Sequence, residues 1–450
     1  MSIQYAVHPR AHVSKKPVYD LSFQQGSYYH PIYPKNVVIE NQRTPIIFEW
    51  TNFPDMGFNF KDSILEFSLK IVSNTGTDIA DGDLIRPVNA IGHTYFKRME
   101  LYCNGTPLYS QQTNPIKYIL DTMLEKKLNT ENMDIYTGYR HIVSTEKDRT
   151  DKTNDAFKNT PKMNKWTLFI IKLNIDFFRT GSDIMSLHLG RWELRLIPED
   201  IEKTLNWGID HTNDASVASS IETDYKIFLK PDITFQLKLD KYSDESIESI
   251  NSELLSKGHP IQCVYRPSVL KTYTISKNSN REDWHDIFPG LSPFALYCTF
   301  VSHDGHMGVR NKSPFYMHPG NGLKRISVYL NDKLIGQPEA LNMDLTDDNN
   351  LKKLYYRNMY VLNVGPFDEQ KYWKAEDLAK GSFIYCIPLS TNPHANGLLP
   401  RPELNVISAT IEYDPNKPKT ENVTCIWYAL ISPVSADFYQ NGRVINNFTQ

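Results

Sequence analysis

The chain has 450 residues, a mass of 52.0 kDa and nearly balanced charge, with 49 Lys and Arg against 52 Asp and Glu. This length allows two or three domains with large cores, and an aromatic content of 12% that includes 26 Tyr favours an ordered, β-rich protein. A net charge of −3 without basic runs argues against nucleic-acid binding as the main function.

The amino-terminal segment, residues 1–36, is rich in proline and tyrosine and has no regular hydrophobic period. This composition predicts an extended arm that becomes ordered against another surface, and an unstructured terminus fits equally well. The segment has no apolar signal core, and no run in the chain approaches the ~18 apolar residues of a membrane span. We therefore expect a protein made inside a cell, without a transmembrane segment.

Alternating apolar and polar residues predict strands throughout residues 37–242. Leu65, Phe67 and Leu69 show the pattern, as do Trp192, Leu194 and Leu196 further along the chain. We expect residues 166–178 to be extended, and polar loops near 146–164 and 202–224. The segment predicts a first antiparallel β-sandwich, with enough strands for a jelly roll.

A charged, helix-prone stretch over residues 243–258 ends in Gly258, and Pro260 follows it. This composition predicts a linker between two domains. Residues 259–450 then form a second jelly roll, whose strands are predicted near 261–275, 293–302, 382–388, 404–413 and 423–431.

A nine-residue pattern at 96–104 returns at 323–331, and the offset of 227 residues is half the chain length. The identical pairs are Lys97/Lys324, Arg98/Arg325, Tyr102/Tyr329 and Asn104/Asn331. Both copies alternate as strands do, and both end in a turn dipeptide, Asn104-Gly105 or Asn331-Asp332. The repeat predicts a duplicated domain.

A helix candidate follows each copy of the repeat. In the first half Asn114 and Pro115 begin an apolar stripe that contains Ile116, Ile119 and Leu120. In the second half Asn350 precedes a similar stripe. The sequence therefore predicts an all-β protein of two tandem antiparallel jelly-roll sandwiches, with a short helix in each half.

Cysteine usage indicates a reducing compartment. The number is odd and the positions are far apart: Cys103, Cys263, Cys298, Cys386 and Cys425. Most lie inside apolar runs, which predicts buried, reduced thiols and no disulfide framework.

The ordered blocks of the chain resemble the double jelly-roll major capsid proteins of Polinton/Maverick elements and adintovirus-like double-stranded DNA viruses. The blocks that carry the resemblance are 87–109, 116–124, 168–197, 259–275, 313–338 and 423–445. Asn331-Asp332 in place of Asn-Gly and the loop at 146–164 depart from the family pattern.

The resemblance implies a structural virion protein. Three chains would form a pseudo-hexagonal homotrimer, and such capsomers would tile an icosahedral shell around a double-stranded DNA genome. The partners would be other copies of the chain and a penton or minor capsid protein, and residues 1–36 would reach a neighbouring subunit or the shell interior. Assembly would take place in the host cytoplasm or nucleus.

Candidates for other chemistry are few. His303, Asp304 and His306 could bind a cation, but no further ligand follows at a recognisable spacing, so a surface loop is favoured. Asp283, His285 and Asp286 are adjacent on one irregular segment and are interpreted in the same way. We therefore predict no catalytic, metal-binding or cofactor-binding residues and no small-molecule substrate.

Two further groups have structural interpretations. Lys97-Arg98 and Lys324-Arg325 are expected to be solvent-side charges that discourage strand edges from pairing. The aromatic residues Trp166, Trp192 and Trp427 lie in strand patterns and are expected in the core.

Two other functions remain open at this stage. Tandem sandwiches also serve as glycan-binding modules, and the Tyr- and Asn-rich loops suit that function. An enzyme on the same scaffold is the third possibility, and only the scattered His and Asp clusters favour it.

Overall fold

A computed structural model describes residues 24–40, 43–53, 56–80, 85–111, 114–124, 136–139, 163–180, 184–185, 190–207, 225–244, 248, 260–309, 312–335, 343–362, 374–389, 406–439 and 441–448. These residues form two antiparallel β-sandwiches in succession, which confirms the predicted fold class. Within these ranges no helix combines the length and apolar character needed to cross a membrane.

The strands of the first half are β1 (Gln24–Ile32), β2 (Ile46–Trp50), β3 (Met56–Ser73), β4 (Ile85–Pro87), β5 (Phe96–Cys103), β6 (Thr106–Gln111), β7 (Thr167–Ile171), β8 (Ile184–Met185), β9 (Trp192–Pro198), β10 (Leu205–Trp207), β11 (Tyr225–Leu229) and β12 (Thr234–Tyr242). One sheet contains β1, β12 and β3 in that order, and the long strand β3 also pairs with β7, β8 and β11. The facing sheet has the order β2-β9-β5-β6, and β4 pairs separately with β10.

The strands of the second half are β13 (Ile261–Tyr265), β14 (Ser268–Ile275), β15 (Arg281–Trp284), β16 (Pro293–Ser302), β17 (Leu323–Leu330), β18 (Lys333–Ile335), β19 (Tyr385–Pro388), β20 (Ile407–Tyr413), β21 (Val423–Ile431), β22 (Val434–Phe438) and β23 (Val444–Asn446). Its two main sheets have the orders β14-β21-β16-β19 and β15-β20-β17-β18. A small third sheet, β13-β22-β23, lies beside them.

The described helices are α1 (Ile91–Thr94), α2 (Asn114–Leu124), α3 (Asp176–Thr180), α4 (Ile201–Thr204), α5 (His303–His306) and α6 (Asp348–Val361), with a 3-10 turn over Ala375–Ala379. The two longest, α2 and α6, follow β6 and β18 at equivalent places in the two halves, as the sequence predicts. Asp347 caps the start of α6, since its side chain accepts a hydrogen bond from the Asn349 amide, and Asn350 lies inside the first turn.

The duplication is visible in the strand order. In the order in which they lie in the sheet, β1, β12, β3 and β7 of the first half correspond to β14, β21, β16 and β19 of the second. Likewise β2-β9-β5-β6 corresponds to β15-β20-β17-β18. The repeated sequence forms β5 and β17, which hold the same place in their sheets, so the sequence repeat and the structural repeat coincide.

The asparagine that ends each repeat has two functions. Asn104 (φ 49°) and Asn331 (φ 48°) both adopt the left-handed conformation that a tight hairpin needs. Each side-chain oxygen also accepts a hydrogen bond across the sheet, from the Arg191 amide at 2.8 Å and from the Val406 amide at 2.9 Å respectively. Asparagine is suited to this position because it tolerates the backbone angle and supplies the acceptor.

The core of each sandwich lies between its two sheets, on the face that the apolar residues of each strand share. Trp192 and Trp427 are fully buried there, as predicted. All five cysteines are buried, as their positions inside apolar runs predict, and no disulfide joins any two of them.

Four predictions need correction or lie wholly or partly outside the described residues. The proposed arm over 1–36 overlaps β1, where Tyr28 pairs with Leu239 and Ile32 with Phe235, so the last part of the segment belongs to the first sheet. Residues 176–178 are helical, because the apolar run turns into α3 after β7. Residues 1–23, most of the linker at 243–258 and nearly all of the loop at 146–164 lie outside the described residues.

We predict that Asn331→Ala lowers the free energy of unfolding by about 1–2 kcal/mol, because Ala strains the left-handed turn and removes the bond to Val406. Asn331→Gly relieves the strain and should lose less. Urea unfolding of the three proteins measures the difference. Equal loss in both variants would contradict the double function.

Candidate functional site

The two sandwiches meet along a contact that we call the seam. It is formed by β6, α2 and α3 of the first half and by β13, β14 and β21 of the second. Aromatic rings of the two halves pack against each other in one part of the seam. Phe177 lies 5.2 Å from Tyr265, and Trp192 lies 5.7 Å from Phe438, measured between ring centroids. A cleft of about 400 Å³ opens between β6 and β14.

Helix α2 brings charge into this apolar contact. Its residues are buried almost all round, and they include Lys117 and Asp121, which lie one turn apart on the same face. Lys117 has no exposed surface, and its Nζ lies 2.7 Å from Asp121 Oδ2 and 2.8 Å from Asp176 Oδ1. The helix therefore buries a cation between two carboxylates.

Two further side chains complete the cluster, one from α3 and one from the segment just before it. Arg179 pairs with Asp121, and the Asn174 side-chain amide donates to the same carboxylate at 3.0 Å. Burial alone would raise the pKa of Asp121, but the charges of Arg179 and Lys117 outweigh it and hold that pKa well below its usual value. The Asp121 carboxylate therefore stays ionised between the side chains of Lys117 and Arg179.

The second half supplies hydrogen-bond donors to both carboxylates. The Tyr428 hydroxyl on β21 donates to Asp121 Oδ1. The Ser268 amide and hydroxyl on β14 both donate to Asp176 Oδ2, each at 2.8 Å. Burial, reinforced by the two carboxylates, raises the pKa of Tyr428 well above its usual value, so it remains a donor. The ions of one sandwich are thus satisfied by groups of the other.

Smaller polar contacts extend the seam toward the carboxyl terminus. The Tyr265 hydroxyl donates to Asn446 Oδ1 at 2.8 Å, and the Asn446 amide donates to the Pro107 carbonyl at 3.1 Å. The side chain of Asn104, at the repeated turn, donates to the Gly442 carbonyl at 2.8 Å. The repeated turn therefore also touches the other half.

The histidine candidates do not converge on a metal site. His303 Nδ1 lies 3.1 Å from Thr424 Oγ1, whereas His306 faces a cleft of about 130 Å³ that is also lined by Lys97 and Lys203. Burial and the charge of Lys203 lower the pKa of His306 to about 4. Among the residues that the structure describes, no three His, Cys, Asp or Glu side chains are grouped so that they could hold a metal ion.

The second candidate group is divided among local partners. Asp283 pairs with Arg281 at 2.8 Å and accepts from Thr410 at 2.6 Å, and these bonds lower its pKa. His285 Nδ1 lies 3.2 Å from Ser408 Oγ. Arg281 lies on the same strand as Asp283, whereas Thr410 and Ser408 lie on the neighbouring strand β20, so the two candidate side chains have separate partners.

The interpretation of the repeated basic pairs as protection of a sheet edge stays a prediction: among the described residues β6 pairs only with residues 99–103 of β5, and β18 only with residues 328–330 of β17, so both basic pairs lie just before those contacts. β5 lies between β9 and β6, and β17 lies between β20 and β18. Arg98 pairs with Glu100 and Arg325 with Glu412, so these arginines form ion pairs on the sheet surface. The core prediction for Trp166 is wrong. The Trp166 side chain is 38% exposed beside Lys70, because this residue comes just before β7 and lies outside the sandwich interior.

The ionic cluster was absent from the sequence predictions, although a signal for it exists. Lys117 and Asp121 interrupt an otherwise apolar helix at a spacing of four residues. Such a pair normally marks a solvated face, and the sequence alone does not show that the second half covers it.

Solved structures with the same fold were found over the full length of the chain. A chain of the Sputnik virophage matches with a TM-score of 0.61 and 10% identity, over 100% of this chain and 93% of that chain. The Faustovirus major capsid protein gives 0.55 and 10% identity over 95% and 93%. The mavirus major capsid protein gives 0.51 and 8% identity over 100% and 95%. The fold is therefore the double jelly roll of these proteins, as the resemblance implies.

In sequence the chain stands further apart. No protein-family model matches it, and no curated protein matches it either.

We predict that Asp121→Asn lowers the free energy of unfolding by about 3–5 kcal/mol, since it leaves the buried Lys117 and the partly buried Arg179 with half of their counter-charge. Tyr428→Phe is the matched control: it removes one hydrogen bond to the same carboxylate and should cost about 1.5–3 kcal/mol. Chemical unfolding measures both. A smaller loss for Asp121→Asn than for Tyr428→Phe would contradict the ionic account.

A second prediction concerns His93, which is fully buried and stacks on Tyr118 of α2 at 3.6 Å. Burial and the charge of Arg179 lower its pKa to about 3, below the unfolded value of about 6.5. Its contribution to stability is therefore complete above pH 6.5 and is lost as the pH falls toward 3, at about 1.4 kcal/mol per pH unit.

The His93→Phe variant keeps the stacking and removes the proton-binding group. Its unfolding free energy should fall less steeply than that of the unchanged protein between pH 6.5 and 4.5, while the other histidines contribute equally to both. Parallel curves would show that His93 is not buried as a neutral group.

Proposed function

We propose that this chain is a major capsid protein, a structural protein of the virion of a double-stranded DNA virus or a Polinton/Maverick-like element. The observation that supports the proposal is the match of both sandwiches, over the full chain, to the fold of capsid proteins. At this level of identity the match establishes the fold, and the function follows as the proposal.

The capsomer in this proposal is a homotrimer. Each chain carries two sandwiches of the same topology, held side by side by the seam. Three chains arranged about a threefold axis present six similar lateral surfaces, a pseudo-hexagonal unit that packs on an icosahedral face. The protein acts as a structural component and not as an enzyme, and its further partners are neighbouring capsomers and a penton or minor capsid protein.

The structure gives no support to the glycan-binding alternative. The comparisons found capsid proteins over the whole chain. The sandwich architecture alone does not favour a glycan-binding function, because the same architecture serves many functions.

We predict that the purified protein forms a species of about 156 kDa, three times the chain mass of 52.0 kDa, in size-exclusion chromatography with light scattering. Electron microscopy of that peak should show hexagonal particles with threefold symmetry. A protein that remains at 52 kDa across protein concentrations and salt conditions would overturn the capsomer proposal and leave the fold unaffected.

A further inference from the structure

The equivalent outer faces of the two sandwiches are covered to different extents. On the second sandwich, Trp427 points inward toward Trp284, so its neighbours on β21 point outward. The outward residues Tyr297, Ile426 and Tyr428 are nevertheless only 3%, 0% and 1% exposed. The first sandwich covers Tyr428 on this face, because the Tyr428 hydroxyl bonds to Asp121 of α2, and Tyr297 lies beside Tyr428 at 6.0 Å between ring centroids.

The corresponding face of the first sandwich has no such cover from the residues that the structure describes. Leu65 and Phe67 of β3 point inward, so Ile64 and Glu66 point outward together with their cross-strand partners Gln236 and Ile170. At the margins of this face Tyr29 on β1 is 49% exposed and Leu168 on β7 is 55% exposed. We call this surface, formed by Tyr29, Ile64, Glu66, Leu168, Ile170 and Gln236, the open face.

The two halves contain equivalent helices, α2 in the first and α6 in the second. The buried positions Ile116 and Ile119 of α2 correspond to Leu351 and Leu354 of α6. The same offset places Lys352 and Tyr356 of α6 at the positions that Lys117 and Asp121 occupy in α2. In α2 these positions face the seam and are buried.

In α6 the same positions are exposed. Tyr356 is 56% exposed, and Tyr360, one turn further on the same side, is 76% exposed. Tyr360 is thus one of the most exposed large side chains in the described part of the molecule. This helix face is buried in the first half but carries two exposed tyrosines in the second. Within the described ranges of the isolated chain, α6 therefore has no surface that covers this face as the second sandwich covers α2.

We propose that α6 of one copy packs on the open face of the next copy, which repeats between chains the contact that α2 makes within the chain. This inference rests on the proposed capsomer and identifies its interface. The contact is head-to-tail, and because each chain supplies two of six similar positions, it closes after three chains.

The chemistry of the two surfaces is complementary. Tyr356 and Tyr360 can cover the apolar side chains Leu168 and Ile170, as aromatic residues do at protein interfaces. Glu66 accepts a hydrogen bond from the neutral Gln236 amide at 3.2 Å, and Lys352 on α6 brings a cation to the same contact. A second copy of the chain is the favoured occupant, because α6 would then contact the first sandwich of that copy as α2 contacts the second sandwich within one chain.

A cysteine pair tests this contact directly. In Tyr356→Cys with Ile170→Cys, mild oxidation should link neighbouring chains into a covalent species that ends at three chains on a non-reducing gel. Each single variant should stay at one chain, since the five native cysteines are buried. The matched control places the second cysteine at the exposed turn residue Asn278, outside the open face, and should not give covalent trimers.

The outcomes separate this inference from the proposed function. If the unchanged protein is trimeric and the cysteine pair does not link chains, the capsomer stands and the interface is wrong. If the unchanged protein is monomeric at every concentration, the proposed function itself fails, and this inference fails with it.

Charge exchange provides a second measurement that does not depend on oxidation. Lys352→Glu should place two carboxylates together and raise the concentration at which trimers dissociate at least tenfold. Adding Glu66→Lys should restore association, while each variant keeps the circular dichroism of the folded chain. Failure of the double variant to recover would overturn the pairing of α6 with the open face.

Discussion

The arrangement of the two sandwiches depends on a small group of buried ions. Lys117 lies between Asp121 and Asp176, and the second sandwich provides Tyr428 and Ser268 as donors to those carboxylates. Removing such charges from water costs several kcal/mol each, and only well-placed partners offset that cost. A cluster of this kind adds little net stability compared with apolar packing, but a displaced sandwich would leave charges unpaired. The seam therefore selects one relative orientation.

The seam also explains why two copies of one domain now differ. Helix α2 is buried on nearly every side because it lies between the sandwiches, whereas α6 keeps one open side with Tyr356 and Tyr360. The outer face of β16 and β21 carries Tyr297 and Tyr428, and Tyr428 contacts α2. Equivalent topology has thus been kept, while side chains have changed according to what covers them.

Much of the fold could be predicted from the sequence because it depends on local patterns. The strands predicted near 293–302 and 423–431 match the observed bounds of β16 and β21, and the repeated asparagine indicated both hairpins. Features set by distant partners were missed. Residues 176–178 have strand-like composition but form a helix under β13, and Trp166 lies just outside the sandwich that its neighbours enter. The ionic pair on α2 was not predicted because its burial is due to residues some 300 positions further along the chain.

Joining the two sandwiches in one chain changes the thermodynamics of building a larger ring. Each association between separate molecules loses translational and rotational freedom, a cost of roughly 4–15 kcal/mol at the standard state. A ring of six separate sandwiches would meet that cost five times, while three fused pairs meet it twice. The covalent connection supplies every second contact at an effective concentration that dilution does not change. The threshold concentration for ring formation is correspondingly lower, and partly built rings contain fewer kinds of intermediate.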